Sequence, residues 1–306
     1  MAANAPARAR SLEEFGRLMP RMLDRAEIAA GVERFRPRPT DVIISPYGKC
    51  GTTWLQQAFH TLRTRGDMDF DDISRVVPWI ETSGALGLDL DADQRAEPRG
   101  FKSHLPWDRV PKGARYVVSL RDPRDALVSM YRFMEGWFIE PGTVLIEDFA
   151  RARGRPTGDG TDYWHHLLSW WEQRDNPAVL LLSYEQMSAD PVDAVRRLAR
   201  FCGIVLDDAL LALTLEHSSL AFMLRYKDRF DDLLMRRLSE RRCNLPPGGD
   251  SAKVRKGGVG GHVRELPPSV VADLDAVWRE TVTPRTGFAD YAALERALSR
   301  RAVAAV

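Results

Sequence analysis

The segment that most restricts this chain is Asp41-Val-Ile-Ile-Ser-Pro-Tyr-Gly-Lys-Cys-Gly-Thr-Thr-Trp-Leu55, an apolar run followed by a glycine-bearing turn and then a helical pattern. The short β-branched block between Asp41 and Pro46 reads as a buried strand. From Thr52 onward, Leu55, Ala58, Phe59 and Leu62 recur at helical spacing and turn one apolar face toward a sheet. Strand, loop and helix in that order leave unpaired backbone N–H groups at the positive end of a helix dipole, which suits an anion. The usual nucleotide-phosphate loop, G-x-x-x-x-G-K-[ST], carries its lysine after the last glycine, whereas Lys49 here precedes Gly51. Gly48 and Gly51 allow a tight path, Thr52 and Thr53 add hydroxyl donors, and Lys49 adds a point charge. A glycine turn with an N-capping threonine is the competing reading.

Further strands are expected at Gly100–Ser103, Arg115–Leu120 and Val179–Ser183, with helices at about 123–134, 162–174 and 191–202. Strands alternating with helices predict an α/β fold: a single domain with a central, mostly parallel sheet flanked by helices. Residues 1–35 are expected as a helical segment packed on a domain of residues 36–306, with one helix over 11–30 turning Phe15, Leu18, Met19, Met22 and Leu23 inward. The charged stretch 228–242 reads as a solvated helix running into a mobile Pro/Gly loop, with a lid as the alternative. His165 and His166, adjacent on a helix, point about 100° apart and do not suit one metal ion. Trp164, Trp170 and Trp171 pack that helix on the core, and His60 and His217 read as packing or surface residues.

Charge and cysteine use narrow the function classes. With 44 basic and 43 acidic side chains the net charge is +1, so no global field points to nucleic acid. No apolar run reaches the length of a membrane span, and the N-terminus lacks the apolar block of a secretory signal. The three cysteines, Cys50, Cys202 and Cys243, form no C-x-x-C pair, which suggests neither a zinc site nor a disulfide framework and fits a cytoplasmic protein.

Three more stretches carry chemistry-bearing residues. In Val118–Tyr131 a strand delivers Arg121 to a sheet end, and Ser129 lies in the first turns of the next helix; a second phosphate is one partner for them, and a salt bridge from Arg121 to Asp125 is the other reading. In Arg99-Gly-Phe-Lys-Ser-His-Leu-Pro106 a strand ends on His104, where ligands of open α/β sheets bind and where an imidazole can take a proton. The loop Ala252–Gly261 gathers cations and glycines, either for a phosphate or as a flexible basic turn.

In series these four stretches resemble the cytosolic-type sulfotransferase family, whose donor is 3′-phosphoadenosine 5′-phosphosulfate (PAPS). The likeness runs from about residue 40 to 265 in the family's order. The family's P-K-S-G-T-T-W is similar to Gly48–Trp54, its R-[ND]-P-[KR]-D-x-x-V-S-x-Y to Arg121–Tyr131, its K-[ST]-H-L-P to Lys102–Pro106 and its R-K-G to Arg255–Gly257. The resemblance implies a P-loop-like fold, PAPS as cosubstrate and its desulfated form PAP as product. It implies that Lys49, Cys50, Gly51, Thr52 and Thr53 hold the phosphosulfate and that Trp54 stacks on the adenine. By the same analogy Arg121 and Ser129 bind the 3′-phosphate and Arg255, Lys256 and Gly257 close on it. Tyr184, and Ser218 and Met223 in a stretch similar to H-T-S-F-x-x-M, lie by the base. The sequence departs from the family at Cys50, where serine is usual, at Leu220, where a stacking aromatic is common, and at Gly260-Gly261-His262, where G-D-W is usual. The dimer motif K-x-x-x-T-V-x-x-x-E is absent after Val263, so any homodimer forms without it.

A sulfuryl group carries less charge than a phosphoryl group, so cationic side chains are expected to suffice without a metal ion. In that scheme His104 deprotonates the acceptor, Lys49 and the loop N–H groups stabilise the leaving phosphate, and Lys102, on the same strand face as His104, binds a sulfuryl oxygen. A small-molecule kinase using Asp122 for magnesium and a non-catalytic nucleotide-binding protein are the other readings. The acceptor is expected to be a small apolar molecule bearing a hydroxyl or amine, bordered by Pro78–Ile80, Tyr131–Phe138, Phe149 and the 228–250 segment.

Overall fold

A computed structural model describes residues 5–304 and shows four strands in one sheet of order β2-β1-β3-β4. They are β1 (Val42–Ile44), β2 (Gly100–Lys102), β3 (Arg115–Leu120) and β4 (Val179–Ser183). Every expected strand forms, and every pairing is parallel, so the sheet is wholly rather than mostly so. Successive residues of β1 turn to opposite faces: Ile43 joins a core with Phe101, Tyr116 and Val118, while Val42 and Ile44 join one with Phe59, Val117 and Leu182. The tryptophans Trp164, Trp170 and Trp171 are buried in the first of these.

The order of strands sets neighbouring carboxyl ends side by side. Beyond β1 runs the glycine turn into α3 (Thr52–Thr64); beyond β2 comes His104, beyond β3 Arg121 and beyond β4 Tyr184. The opposite ends of β1 and β2 are tied by a fully buried pair in which the Arg99 guanidinium donates to both carboxylate oxygens of Asp41, at 3.0 and 2.7 Å. Removing one partner of such a pair strands a buried charge, at a cost of about 3–5 kcal/mol.

Two expectations need correction. The 11–30 segment is two helices, α1 (Leu12–Met22) and α2 (Arg25–Arg34), because Asp24 interrupts the first and caps the second by accepting from the N–H groups of Ala26 and Glu27. The 228–242 segment is not a solvated helix: a short 3₁₀ turn is followed by a helix, Leu233–Cys243, whose Met235 and Leu238 are buried, as is Phe230 before it. Its apolar residues outweigh the charges interleaved with them, and α1 covers this helix.

Candidate active site

The strand ends open on one cavity of about 1290 Å³. It is lined by Lys49, Gly51, Thr52, Thr53, Trp54, Lys102, His104, Arg121, Ser129, Tyr184, Ser218, Met223, Arg255, Lys256 and Gly257, so residues from across the chain share one space. Cys50 is the exception. Its side chain is buried in the core, burial raises its thiol to about 12, and its N–H donates to the Tyr47 carbonyl at 3.1 Å, leaving it no group to offer a ligand.

The turn after β1 is held from several sides. Gly51 has φ 97°, and a Cβ there would stand 3.0 Å from the Tyr184 ring and 3.2 Å from Ser119 Oγ, so only glycine fits. Ser119 donates its hydroxyl to the Cys50 carbonyl. The Thr52 hydroxyl oxygen is buried without a partner at the start of α3, a donor and acceptor awaiting a ligand. Arg121 lies 4.2 Å from the Tyr184 ring centre and donates to the Lys49 carbonyl at 2.8 Å and the Gly258 carbonyl at 3.0 Å, which joins the first loop to the basic one. Its Nε is buried and unpaired.

Arg121 does not pair with Asp125, as the competing reading had it. Asp125 instead accepts from the N–H groups of Gly260 (2.6 Å) and His262 (2.9 Å) and faces His262 Nδ1 at 2.8 Å, pinning the basic loop where the departures Gly260-Gly261-His262 fall. Nor does Asp122 look into the cavity: its carboxylate caps the helix Pro123–Trp137 and binds Arg124 at 2.6 Å, which removes the magnesium ligand of the kinase reading. Among the described residues no three His, Cys, Asp or Glu gather as a metal site. Arg255 and Lys256 face Glu265 at 3.8 and 3.7 Å. Trp54 and Tyr184 stand with ring centres 5.9 Å apart, Met223 is buried, Ser218 donates to the Thr214 carbonyl at 2.6 Å, and Leu220 packs on Gly257.

His104 and Lys102 leave β2 on the same side, with the buried Ser103 between them facing away and accepting from the Leu105 N–H. His104 Nδ1 lies 2.7 Å from the Pro46 carbonyl oxygen. A carbonyl only accepts, so Nδ1 carries the proton and Nε2 keeps its lone pair. Burial, reinforced by Lys102, holds the imidazole well below its usual pKa, hence neutral. Trp79 stands edge-on to His104 at 5.1 Å and under the Lys102 ammonium at 3.8 Å. Behind the histidine, Glu81 accepts the His104 N–H at 2.7 Å.

Burial lowers Lys102 to about 8 and Lys49 to about 7, with neighbouring cations adding to the effect at Lys49. Lys49 Nζ lies 3.3 Å from the Lys253 carbonyl oxygen and 4.4 Å from the Phe133 ring centre. Asp232, at the head of the Leu233–Cys243 helix, meets Lys253 at 2.5 Å and Lys102 at 3.8 Å. Burial opposes its ionisation, but the two lysines prevail and hold it at about 2. Asp232 and Glu81 belong to no motif, and Lys253 lies in the basic loop Ala252–Gly261 just before the R-K-G stretch that carries its resemblance.

Another part of the cavity is apolar, bordered by Met19 and Met22 of α1 and Leu23 just after it, by Phe133, Met134, Trp137 and Phe138, and by Met235. Trp79 borders it too, as expected, but Ile80 and Phe149 are fully buried core residues and do not. The contribution of α1 was not foreseen.

Residues 39–285 match the sulfotransferase domain family. The chain belongs to that family. Sulfotransferase 1E1 of Bos taurus is 31% identical over 198 residues, covering 61% of this chain and 67% of that protein. Among solved structures, mouse sulfotransferase SULT7A1 complexed with PAP superposes with a TM-score of 0.67 at 20% identity, covering 91% of this chain and 95% of that one. A retinol dehydratase in complex with androsterone and inactive cofactor PAP gives 0.67 at 21% identity over 84% of each chain. These two show that the sulfotransferase shares their fold. No helix among the described residues is long and apolar enough to cross a membrane.

Proposed function

We propose that this sulfotransferase binds PAPS along the strand ends and moves its sulfuryl group to a hydroxyl or amine of a small apolar acceptor, with His104 as the base. The observation that carries this reading is the imidazole: its Nδ1–H is spent on Pro46, and its Nε2 lone pair is available in a cavity that also holds Lys49 and Lys102. The residues fit the donor. Thr52 and the N–H groups at the head of α3 suit its phosphosulfate, Trp54 and Tyr184 offer ring faces for adenine, and Arg121, Ser129, Arg255, Lys256 and Gly257 supply charge and backbone for a 3′-phosphate.

PAPS supplies a sulfur centre and a phosphate leaving group. His104 Nε2 takes the acceptor proton as the acceptor heteroatom bonds to sulfur, and the sulfur–oxygen bond to the 5′-phosphate breaks. Lys49 meets the charge that grows on that phosphate, while Lys102 meets the sulfuryl oxygens. Met19, Met134, Phe133 and their neighbours hold the acceptor's apolar body and exclude water. A cytoplasmic setting accords with three free, buried cysteines. Incubation with radiolabelled PAPS and a panel of phenols, alcohols and amines tests the reading: a labelled sulfate ester or sulfamate is expected, and its absence across the panel together with a lack of PAP binding would refute it.

A further inference from the structure

Building on that reading, we infer that Lys253 is a third lysine of the transfer centre, directed with Lys102 at the sulfuryl end of the donor and kept there by Asp232. Three ammonium groups arrive from the loop after β1, the end of β2 and the basic loop, and one carboxylate oxygen meets two of them. Asp232 Oδ1 lies 2.5 Å from Lys253 Nζ and 3.8 Å from Lys102 Nζ, and Lys253's own carbonyl oxygen is 3.3 Å from Lys49 Nζ. All four residues line the cavity, and the side chains of Lys102, Lys253 and Asp232 are almost wholly shielded from solvent.

Holding the basic loop in place does not require this cluster. Ser251 is already bonded to Asp231, Lys227 meets Asp250 at 2.6 Å, and Asp125 grips Gly260 and His262. Burying two ammonium groups against one another is costly, and a tether alone gives no reason for it. The backbone carries the same signature. Five non-glycine residues among those described have positive φ, and Lys49 (70°), Asp232 (50°) and Ala252 (49°), the residue before Lys253, all border this cavity. Such conformations persist where surrounding contacts over-determine them and concentrate at functional sites. The Leu234 N–H, donating to Asp72 at 2.8 Å, fixes the turn that presents Asp232.

The charge balance gives the arrangement its purpose. Three ammonium groups against one carboxylate leave an excess of positive charge that an entering phosphosulfate neutralises. Until then Asp232 is the counter-ion that favours the charged form of Lys102 beside Lys253. Around Lys102 the facing groups are Asp232, Lys253, Glu81 and Asp72, with Lys49 and His104 across the cavity; Asp232 is the strongest of those favouring its charged form. Asp232 is thus a positioning residue, acting through Lys102 and Lys253.

The test uses the full chain with radiolabelled PAPS and 2-naphthol or a long-chain alcohol, and titration with PAP, which lacks the sulfuryl group. Lys253→Met keeps the stem but removes the charge; kcat is expected to fall by about tenfold to a hundredfold while the PAP Kd stays within about twofold. Lys253→Arg should recover part of the loss. Asp232→Asn should move the alkaline limb of the kcat/KM profile to lower pH, because Lys102 then sheds its proton sooner, a shift that a mere tether would not produce. Unchanged kcat in Lys253→Met overturns the inference, and so does a loss of PAP affinity as large as the loss of kcat, which would make Lys253 an anchor of loop or nucleotide. A wild-type protein that neither binds PAP nor transfers sulfate would sink the sulfotransferase reading itself, and this inference with it.

Discussion

The two ends of the cavity are built by different rules. At the donor end, positions are fixed by hydrogen bonds of backbone and charge: Gly51 wedged against Tyr184 and Ser119, Arg121 bridging two loops, Asp125 holding a third. At the acceptor end the walls are mainly methionines and aromatic rings from α1, Pro123–Trp137 and Leu233–Cys243. Unbranched methionines adapt to irregular shapes. On the proposed function, one end suits a particular ligand and the other a class of them.

That contrast can be broken by substitution. The largest effect is expected where the ends meet: His104→Ala should lower kcat by about a hundredfold or more with PAP affinity intact, measured by turnover and calorimetry. Arg121→Ala should raise the donor KM by about tenfold to a hundredfold, from a charged contact of about 1.5–3 kcal/mol, and leave the acceptor KM alone. In the free enzyme kcat/KM for the donor should fall as pH rises through about 7 to 8, because Lys49 and Lys102 lose their protons there. The acid limb should lie below pH 6.5, since burial keeps His104 neutral to lower pH than an ordinary histidine. An acid limb near the ordinary value would detach His104 from the base role.

Smaller changes sharpen the contrast. Met19→Ala and Met134→Ala should each shift the acceptor KM by about tenfold and reorder the preference among acceptors, with the donor KM unmoved, as expected for about 1–3 kcal/mol of lost apolar contact. Movement of the donor KM instead would show that the ends are coupled. Leu220→Phe should tighten PAP by about twofold to tenfold by restoring a ring beside the base.

The donor end was legible in the sequence because each of its segments is contiguous: a strand, a turn and the first residues of a helix, read together, announce an anion site. All four strands were legible for the same reason, each being a short apolar run bounded by turn residues. The acceptor end was legible in part: Trp79, Met134 and Met235 lie in stretches expected to border it, whereas Met19 belongs to a helix whose apolar stripe looks alike whether it covers a core or a cavity. Asp232 was hidden in a charged stretch that reads as solvated, and Lys253 in a basic loop whose resemblance rests on Arg255, Lys256 and Gly257. Only tertiary packing, which buries Phe230 and Leu238, shows that those charges lie within. The split of 11–30 turned on a single capping residue, Asp24, within an otherwise continuous pattern.

The Arg99–Asp41 clamp, at the end of the sheet away from the chemistry, also governs it. The strand that ends on Lys102 and leads to His104 is an edge strand only three residues long, with little pairing of its own to define alignment. A slide of one position would invert every side chain along it, presenting Ser103 to the cavity and sending both His104 and Lys102 into the hydrophobic layer. A distant ion pair thus joins the bonds to Glu81 and Pro46 in holding the imidazole toward the cavity.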